Sequence, residues 1–308
     1  MDLIKKLDQS LLDLIWSLWT ELGVQGHKRK HQDCLISLEE LVLLTTTLVE
    51  IDPRLRDESL DWCSKYHHFI SVSRLKTLLK EYDTPILEAF SKYSSTLNSI
   101  SRAHWPIFQE FTPIKIHLSH KSYLRPLEFP ALLNIRARSV FGTGARADLI
   151  VFFLTHGDVD FSISDTVEIG YSKRNLAEIL EELWLGGLVD QSLLRNQQRY
   201  RLLKKGELLK ILGPLPKYLP SWRHFIEVII PIRMCLQKIK NFSESTQAIE
   251  IQNLLISMHP KLKKLKILPP SFDGDFSKYM NSFNQWLLDF SSQMSETGTC
   301  AVSSRRRP

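Results

Sequence analysis

The side chains able to do chemistry fall into a few small groups. His27, His31 and Cys34 lie in the run HKRKHQDC, at spacings a metal ion could use. They sit in a basic loop without a second ligand cluster, so a solvated polar loop is the plainer expectation and no metal is assigned. His67 and His68 are adjacent; on a helix they point about 100° apart and cannot chelate together. His117 and His120 flank an expected strand end and read as surface groups. Gly142-Thr143-Gly144-Ala145-Arg146 has the glycines of a phosphate loop but lacks the closing Gly-Lys-Ser/Thr and follows no strand. It is better read as the entry to a helix. No GxSxG elbow, HExxH pair or paired carboxylate motif occurs, so neither an enzyme nor a cofactor is expected. The remaining group is basic: Ser172, Lys173, Arg174 and Asn175 open one helix, and Arg195, Arg199 and Arg201 lie just beyond it. Cations and amide donors at a helix start suit phosphates and the acceptor edges of bases.

The elements that must hold this basic group are legible around it. Ala145 to Thr155 reads as an apolar helix closed by His156-Gly157-Asp158. Ser162 to Ile169 reads as a short capped helix, and Gly170-Tyr171 as a tight turn. Ser172 caps a helix from Lys173 to about Trp184, in which Leu176, Ile179, Leu180 and Leu183 share one arc and Arg174 points away. Gly186-Gly187 closes it. A strand over Leu188–Ser192, a loop over Leu193–Gln198 and a returning strand over Arg199–Leu203 complete the set. In the second strand Arg199 and Arg201 alternate outward from Tyr200 and Leu202.

The run GYSKRNLAEILEELWLGGLVDQ over 170–191, followed by RYRL over 199–202, resembles the recognition helix and wing of MarR/ArsR-type bacterial regulators. The likeness covers about 60 of the 308 residues. It implies a winged helix-turn-helix that inserts the first turn of its second helix into the major groove and sets its wing on the flanking backbone. Winged helices also serve as protein-interaction modules. Glu178 and Glu181 share the outward face with Arg174, which suits a phosphate path poorly.

The flanks read as helical. Leu3, Leu7, Leu11, Leu14 and Leu18 form one buried stripe, stopped by Gly23 and Gly26. Helices are expected from Ser37 toward Glu50, from Leu55 to about Phe69 and from Ser71 onward. The rhythm of residues 60–82 could hide a second, degenerate helix-turn-helix. Ile114, Ile116 and Leu118 alternate with polar residues like one short strand. After the breaker-rich Gly213–Pro220, helices are expected over Ser221–Asn241, with Pro231 kinking or breaking the first, and over Ser245–Met258 and Phe276–Phe290. Trp222, Phe225, Ile226, Ile229 and Ile230 form a broad apolar stripe, read either as core or as a dimer interface.

Composition is that of a globular protein: 43% hydrophobic and 24% charged residues exclude a wholly disordered chain. The net charge of +6 is concentrated in residues 211–308, where 13 basic side chains face 7 acidic ones, and three of those are the tail Arg305–Arg307. That tail reads as disordered. Four cysteines, with no CxxC pair, suit a reducing cytoplasm, and no stretch suits a signal peptide or membrane span. The fold expected is mostly α: an N-terminal helical region (1–129), a central winged helix-turn-helix (130–212) and a C-terminal helical region (213–308). The function expected is a bacterial-type DNA-binding transcriptional regulator, cytoplasmic, binding double-stranded DNA as a homodimer. The alternative is an interaction protein, such as the antitoxin or regulatory partner of a toxin or phage-defence effector encoded nearby.

Overall fold

A computed structural model describes residues 3–26 and 28–297. Five helices come first: α1 (Leu3–Leu22), α2 (Leu38–Thr46), α3 (Pro53–Tyr66), α4 (Val72–Leu79) and α5 (Thr84–Ile100). The leucine stripe of α1 is what the 3.6-residue period demands, with Leu7, Leu11, Leu14 and Leu18 each at most 2% exposed. Gly23 ends the helix at φ +105°, and a Cβ there would fall 1.9 Å from the Tyr123 carbonyl oxygen. Only glycine fits. Helix α3 starts where Asp52 accepts from the Leu55 amide at 3.1 Å with Pro53 in the first turn. Helix α4 starts where Ser71 accepts from the Arg74 amide at 3.3 Å.

Residues 101–129 run over this helical layer without joining a sheet. Their backbone amides find side chains instead of strands: Ile114 donates to Thr96 Oγ1 (3.0 Å), His120 and Ser122 to Asp61 (3.1 Å each), and Leu124 to the Tyr66 hydroxyl (3.0 Å). The strand expected at Ile114, Ile116 and Leu118 is therefore absent; its alternation is real, but no second strand faces it.

The central part comprises α6 (Leu133–Phe141), α7 (Ala145–His156), α8 (Ile163–Thr166), α9 (Lys173–Leu185), strands β1 (Val189–Leu194) and β2 (Gln197–Leu202), and α10 (Lys205–Leu212). These elements have their own core, in which Leu149, Phe153, Leu176, Leu180, Tyr200 and Leu212 meet. The strands pair antiparallel from Val189↔Leu202 to Leu194↔Gln197. Arg195 and Asn196 turn between them with φ of +48° and +61°, the mirror-image geometry that matches strand twist. The expected loop over Leu193–Gln198 is thus a two-residue turn, and the strands are longer.

The chain ends in α11 (Trp222–Ile239), α12 (Glu244–Ser257), α13 (His259–Leu265) and α14 (Phe276–Thr297). Helix α11 continues through Pro231; packing on both sides outweighs the lost hydrogen bond. Both flanks build a single core, α14 lying on α1 and α11 on α2. Arg233 on α11 donates to Asp8 on α1 at 2.5 Å, and the Trp222 indole donates to the Leu35 carbonyl at 2.6 Å. The stripe Trp222, Phe225, Ile226, Ile229 and Ile230, for which the sequence left core and dimer interface open, is at most 7% exposed and belongs to this internal core. It offers no surface to a second copy. Among the described residues no helix is long and apolar enough to cross a membrane; the tail Arg305–Arg307 lies outside them.

Ile229 is fully buried, so Ile229→Ala should lower the free energy of unfolding by about 2–5 kcal/mol without changing the molecular mass. Urea unfolding and light scattering measure the two; a loss well under about 1 kcal/mol would put Ile229 on a free face.

Candidate nucleic-acid interface

Helix α9 presents its first turn to solvent. Ser172 caps it, its Oγ accepting from the Asn175 amide at 3.3 Å. Lys173 is exposed, Asn175 is half-buried, and the Arg174 side chain is 90% exposed. Arg174 Nε meets Glu178 at 2.9 Å, an exposed i,i+4 pair of the kind that contributes little and is easily exchanged. The opposite face is fixed, with Leu176 and Leu180 fully buried and Leu183 nearly so. Ahead of it, α8 opens with a capping box in which Ser162 and Asp165 exchange hydrogen bonds. The Ser162 amide and hydroxyl hold the Asp165 carboxyl below its ordinary range.

The hairpin arginines are placed unequally. Arg195 stands exposed at the turn. Arg199 and Arg201 do not project freely: Arg199 Nη1 donates to the Asp160 carbonyl at 3.2 Å and Arg201 Nε to the Asp160 carboxylate at 2.5 Å. Phe161 adds a backbone bridge to Tyr200 at 2.8 and 2.9 Å. The two arginines therefore brace the hairpin against the segment before α8. Around them the surface is partly apolar, with Leu185 and Leu193 72% exposed, Leu194 53% and Trp184 44%.

What aims α9 is a cluster of buried charges that periodicity does not reveal. Glu39 and Glu40 of α2, Arg74 of α4, Arg138 of α6 and Asp148 of α7 are each at most 6% exposed. Arg138 donates to Asp148 (2.9 and 2.7 Å), to Glu39 (2.7 and 3.1 Å) and to the Phe69 carbonyl (2.7 Å). Arg74 donates to Glu39 at 2.9 Å and Glu40 at 2.5 Å. The Tyr171 hydroxyl, in the turn before α9, donates to Asp148 at 2.8 Å. Gly170, at φ +94°, lets the turn pass the Arg74 side chain, which lies 3.2 Å from where a Cβ would stand. Burial works against the Asp148 carboxylate, but Arg138, Arg74 and Tyr171 outweigh it and hold its pKa below the usual range. The signal available in sequence was a helix apolar on every side, Leu38 to Leu44, carrying two acids that had to find partners.

The other candidates do not converge. Cys34 is buried, and so is His31, whose Nδ1 lies 2.8 Å from Ser17 Oγ; burial pushes the His31 imidazole down to about 4. His27 is outside the described residues, and among those described no three potential ligands assemble for a metal. His117 and His120 are exposed, and the rings of His67 and His68 lie 6.1 Å apart. Gly142 to Gly144 form the turn between α6 and α7, where Thr143 donates to the His68 carbonyl at 2.7 Å. In the helix–turn–helix rhythm of residues 60–82, Arg74 points into the buried cluster, so α4 offers no basic first turn to DNA.

Arg138→Gln should take the counter-charge it supplies from two buried carboxylates and cost about 3–5 kcal/mol in urea unfolding. The lowered pKa of Asp148 fixes the sign of the pH effect: its contribution is complete above the ordinary carboxylate range and is lost as pH falls through the lowered value. Wild-type stability should therefore fall below about pH 4, and Asp148→Asn should be less stable at neutral pH with a flatter profile in that window. A wild type and variant with parallel acid profiles would contradict the assignment.

Compared with known proteins, the chain matches no protein-family model, no curated protein and no solved structure.

Proposed function

We propose that residues 130–212 act as a winged helix-turn-helix that binds double-stranded DNA, and that the chain is a cytoplasmic transcription regulator of bacterial type. The observation carrying this reading is the first turn of α9: Lys173 and Arg174 stand exposed at a capped helix start whose far side is locked in a core. The helix dipole and free amides add to these cations, which favours phosphates and guanine edges. Arg174 is the base-reading candidate; Ser172, Lys173 and Asn175 support it. Arg195 is the wing residue placed to meet the backbone, with Arg199 and Arg201 bracing the hairpin. Homodimerisation remains part of the proposal, through a surface other than the buried α11 stripe.

A second reading rests on the exposed Trp184, Leu185, Leu193 and Leu194. Apolar groups at the end of α9 and at the hairpin suit a protein partner better than a phosphate backbone. The chain would then be an antitoxin or regulatory partner of a toxin or defence effector, a role compatible with binding its own operator.

Fluorescence anisotropy with selected DNA tests the first reading. Arg174→Ala should cost about 1–3 kcal/mol on the preferred site and relax sequence preference. Arg195→Ala should weaken all sequences alike and reduce the salt slope by about 1. Unchanged affinity in Arg174→Ala would remove α9 as the recognition helix. Leu193→Asp with intact DNA affinity but lost binding to a neighbouring gene's product would favour the second reading.

A further inference from the structure

Between α7 and α11 lies a cavity of about 440 Å³, within the range of about 300–1,000 Å³ usual for small-molecule sites. One wall is apolar: Val151 and Phe152 from α7, Ile169 from the turn before α9, and Trp222 from α11. Phe152 is stacked on His156, with ring centroids 4.1 Å apart, so the wall is flat and rigid.

The floor is the buried cluster. It holds three carboxylates, Glu39, Glu40 and Asp148, against two guanidiniums, Arg74 and Arg138. These five groups together carry one net negative charge where water is scarce, which is costly; both Glu40 oxygens are engaged, Oε1 by Arg74 and Oε2 by the Ser37 hydroxyl. Glu40 and Asp148 both line the cavity, so a cation entering it would supply the missing charge. Arg74 also lines the cavity, is 6% exposed, and its Nε has no hydrogen-bond partner among the described residues. That buried donor calls for an acceptor. His224 and Lys264 also line the cavity: His224 is buried with its Nδ1 2.6 Å from Ser221 Oγ, while Lys264 is exposed and has no carboxylate within ion-pair distance among the described residues.

We infer that this cavity binds a small amphipathic zwitterion of the α-amino-acid class, its ammonium group at Glu40, its carboxylate accepting from the Arg74 Nε donor and facing Lys264, and its apolar side chain against Val151, Phe152 and Trp222. An anion alone would meet the surplus negative charge of the floor. A simple amine would leave Lys264 and the Arg74 donor unanswered. Glu168 and Ile169 line the same cavity and lead directly into Gly170 and Tyr171. Occupancy therefore acts on the turn that aims α9, so ligand and DNA binding are linked reciprocally. Only this coupling rests on the DNA-binding reading; ligand binding is a property of the free protein.

The test is isothermal titration of the full chain, without DNA, using L-phenylalanine, phenethylamine and 3-phenylpropionate. L-Phenylalanine should saturate one site, and each half-molecule should bind at least about tenfold more weakly, a factor equal to about 1.4 kcal/mol. Lys264→Glu, at an exposed position, and Thr155→Trp, at a half-buried position on the lining, should each weaken L-phenylalanine at least about tenfold. Lys121→Glu, at an exposed site that does not line the cavity, should leave it unchanged. No heat from L-phenylalanine up to about 10 mM would overturn the inference, as would equal binding of either half-molecule. Full affinity in both cavity variants would overturn it too. If a variant loses its helical circular dichroism, the half-molecule comparison on the wild type decides. Failure of the chain to bind DNA would leave this titration unaffected and would remove only the coupling.

Discussion

The arrangement of the molecule depends on the side chain of Arg138. From α6 it reaches Asp148 in the next helix and Glu39 in α2, 99 residues earlier, and it also satisfies a backbone carbonyl beyond α3. Arg74 closes the network from α4, and Tyr171 attaches the turn before α9. Arg138 thereby ties α2, part of one hydrophobic core, to α6 and α7, whose residues build the other. A buried ionic group is weak evidence for extra stability, since well-packed apolar residues of the same volume often serve as well. Its directional bonds do something an apolar contact cannot: they fix one orientation of α9 relative to the helical body.

This constraint was the part least visible in the sequence. Helix α9, its Ser172 cap, its inward leucines and its glycine stop were legible because all are local: period, cap and terminator lie within 16 residues. The hairpin was legible for the same reason, although its turn proved tighter. Glu39 and Glu40 looked like ordinary first-turn acids, because partners 34 to 99 residues away leave no periodic trace. The same limit explains Arg199 and Arg201, whose outward alternation was plain while their capture by Asp160 was not. Periodicity also marked the apolar face of α11 but could not say what covers it; α2, α12 and α13 do, from within the same chain. Helices α5, α6, α10 and α13 went unread; α6 and α10 are short, and α6 carries two arginines where a surface helix would be expected to stay open to water.

The functional picture follows from what the buried cluster holds outward. A capped helix start with two exposed cations, Lys173 and the Glu178-paired Arg174, faces solvent, and the acidic residues Glu181 and Glu182 follow on the exposed side. Glu182 is met by Arg146 of α7, which partly neutralises that side. The surface is accordingly basic at the start of α9 and apolar at its end and along the hairpin. A basic tip beside an apolar flank suits both proposed readings, DNA binding and a protein partner, and the cavity lies behind the same turn.

The claim that the buried cluster aims α9 is tested most directly by amide hydrogen exchange on Tyr171→Phe, which removes one hydroxyl and the bond to Asp148. Peptides covering residues 168–176 should exchange faster than in the wild type, while those from α11 and α14 keep their protection, because local opening is then easier without loss of the main core. Unchanged exchange over 168–176 would mean that the turn is held by its apolar packing alone, and the cluster would lose its role in positioning the helix.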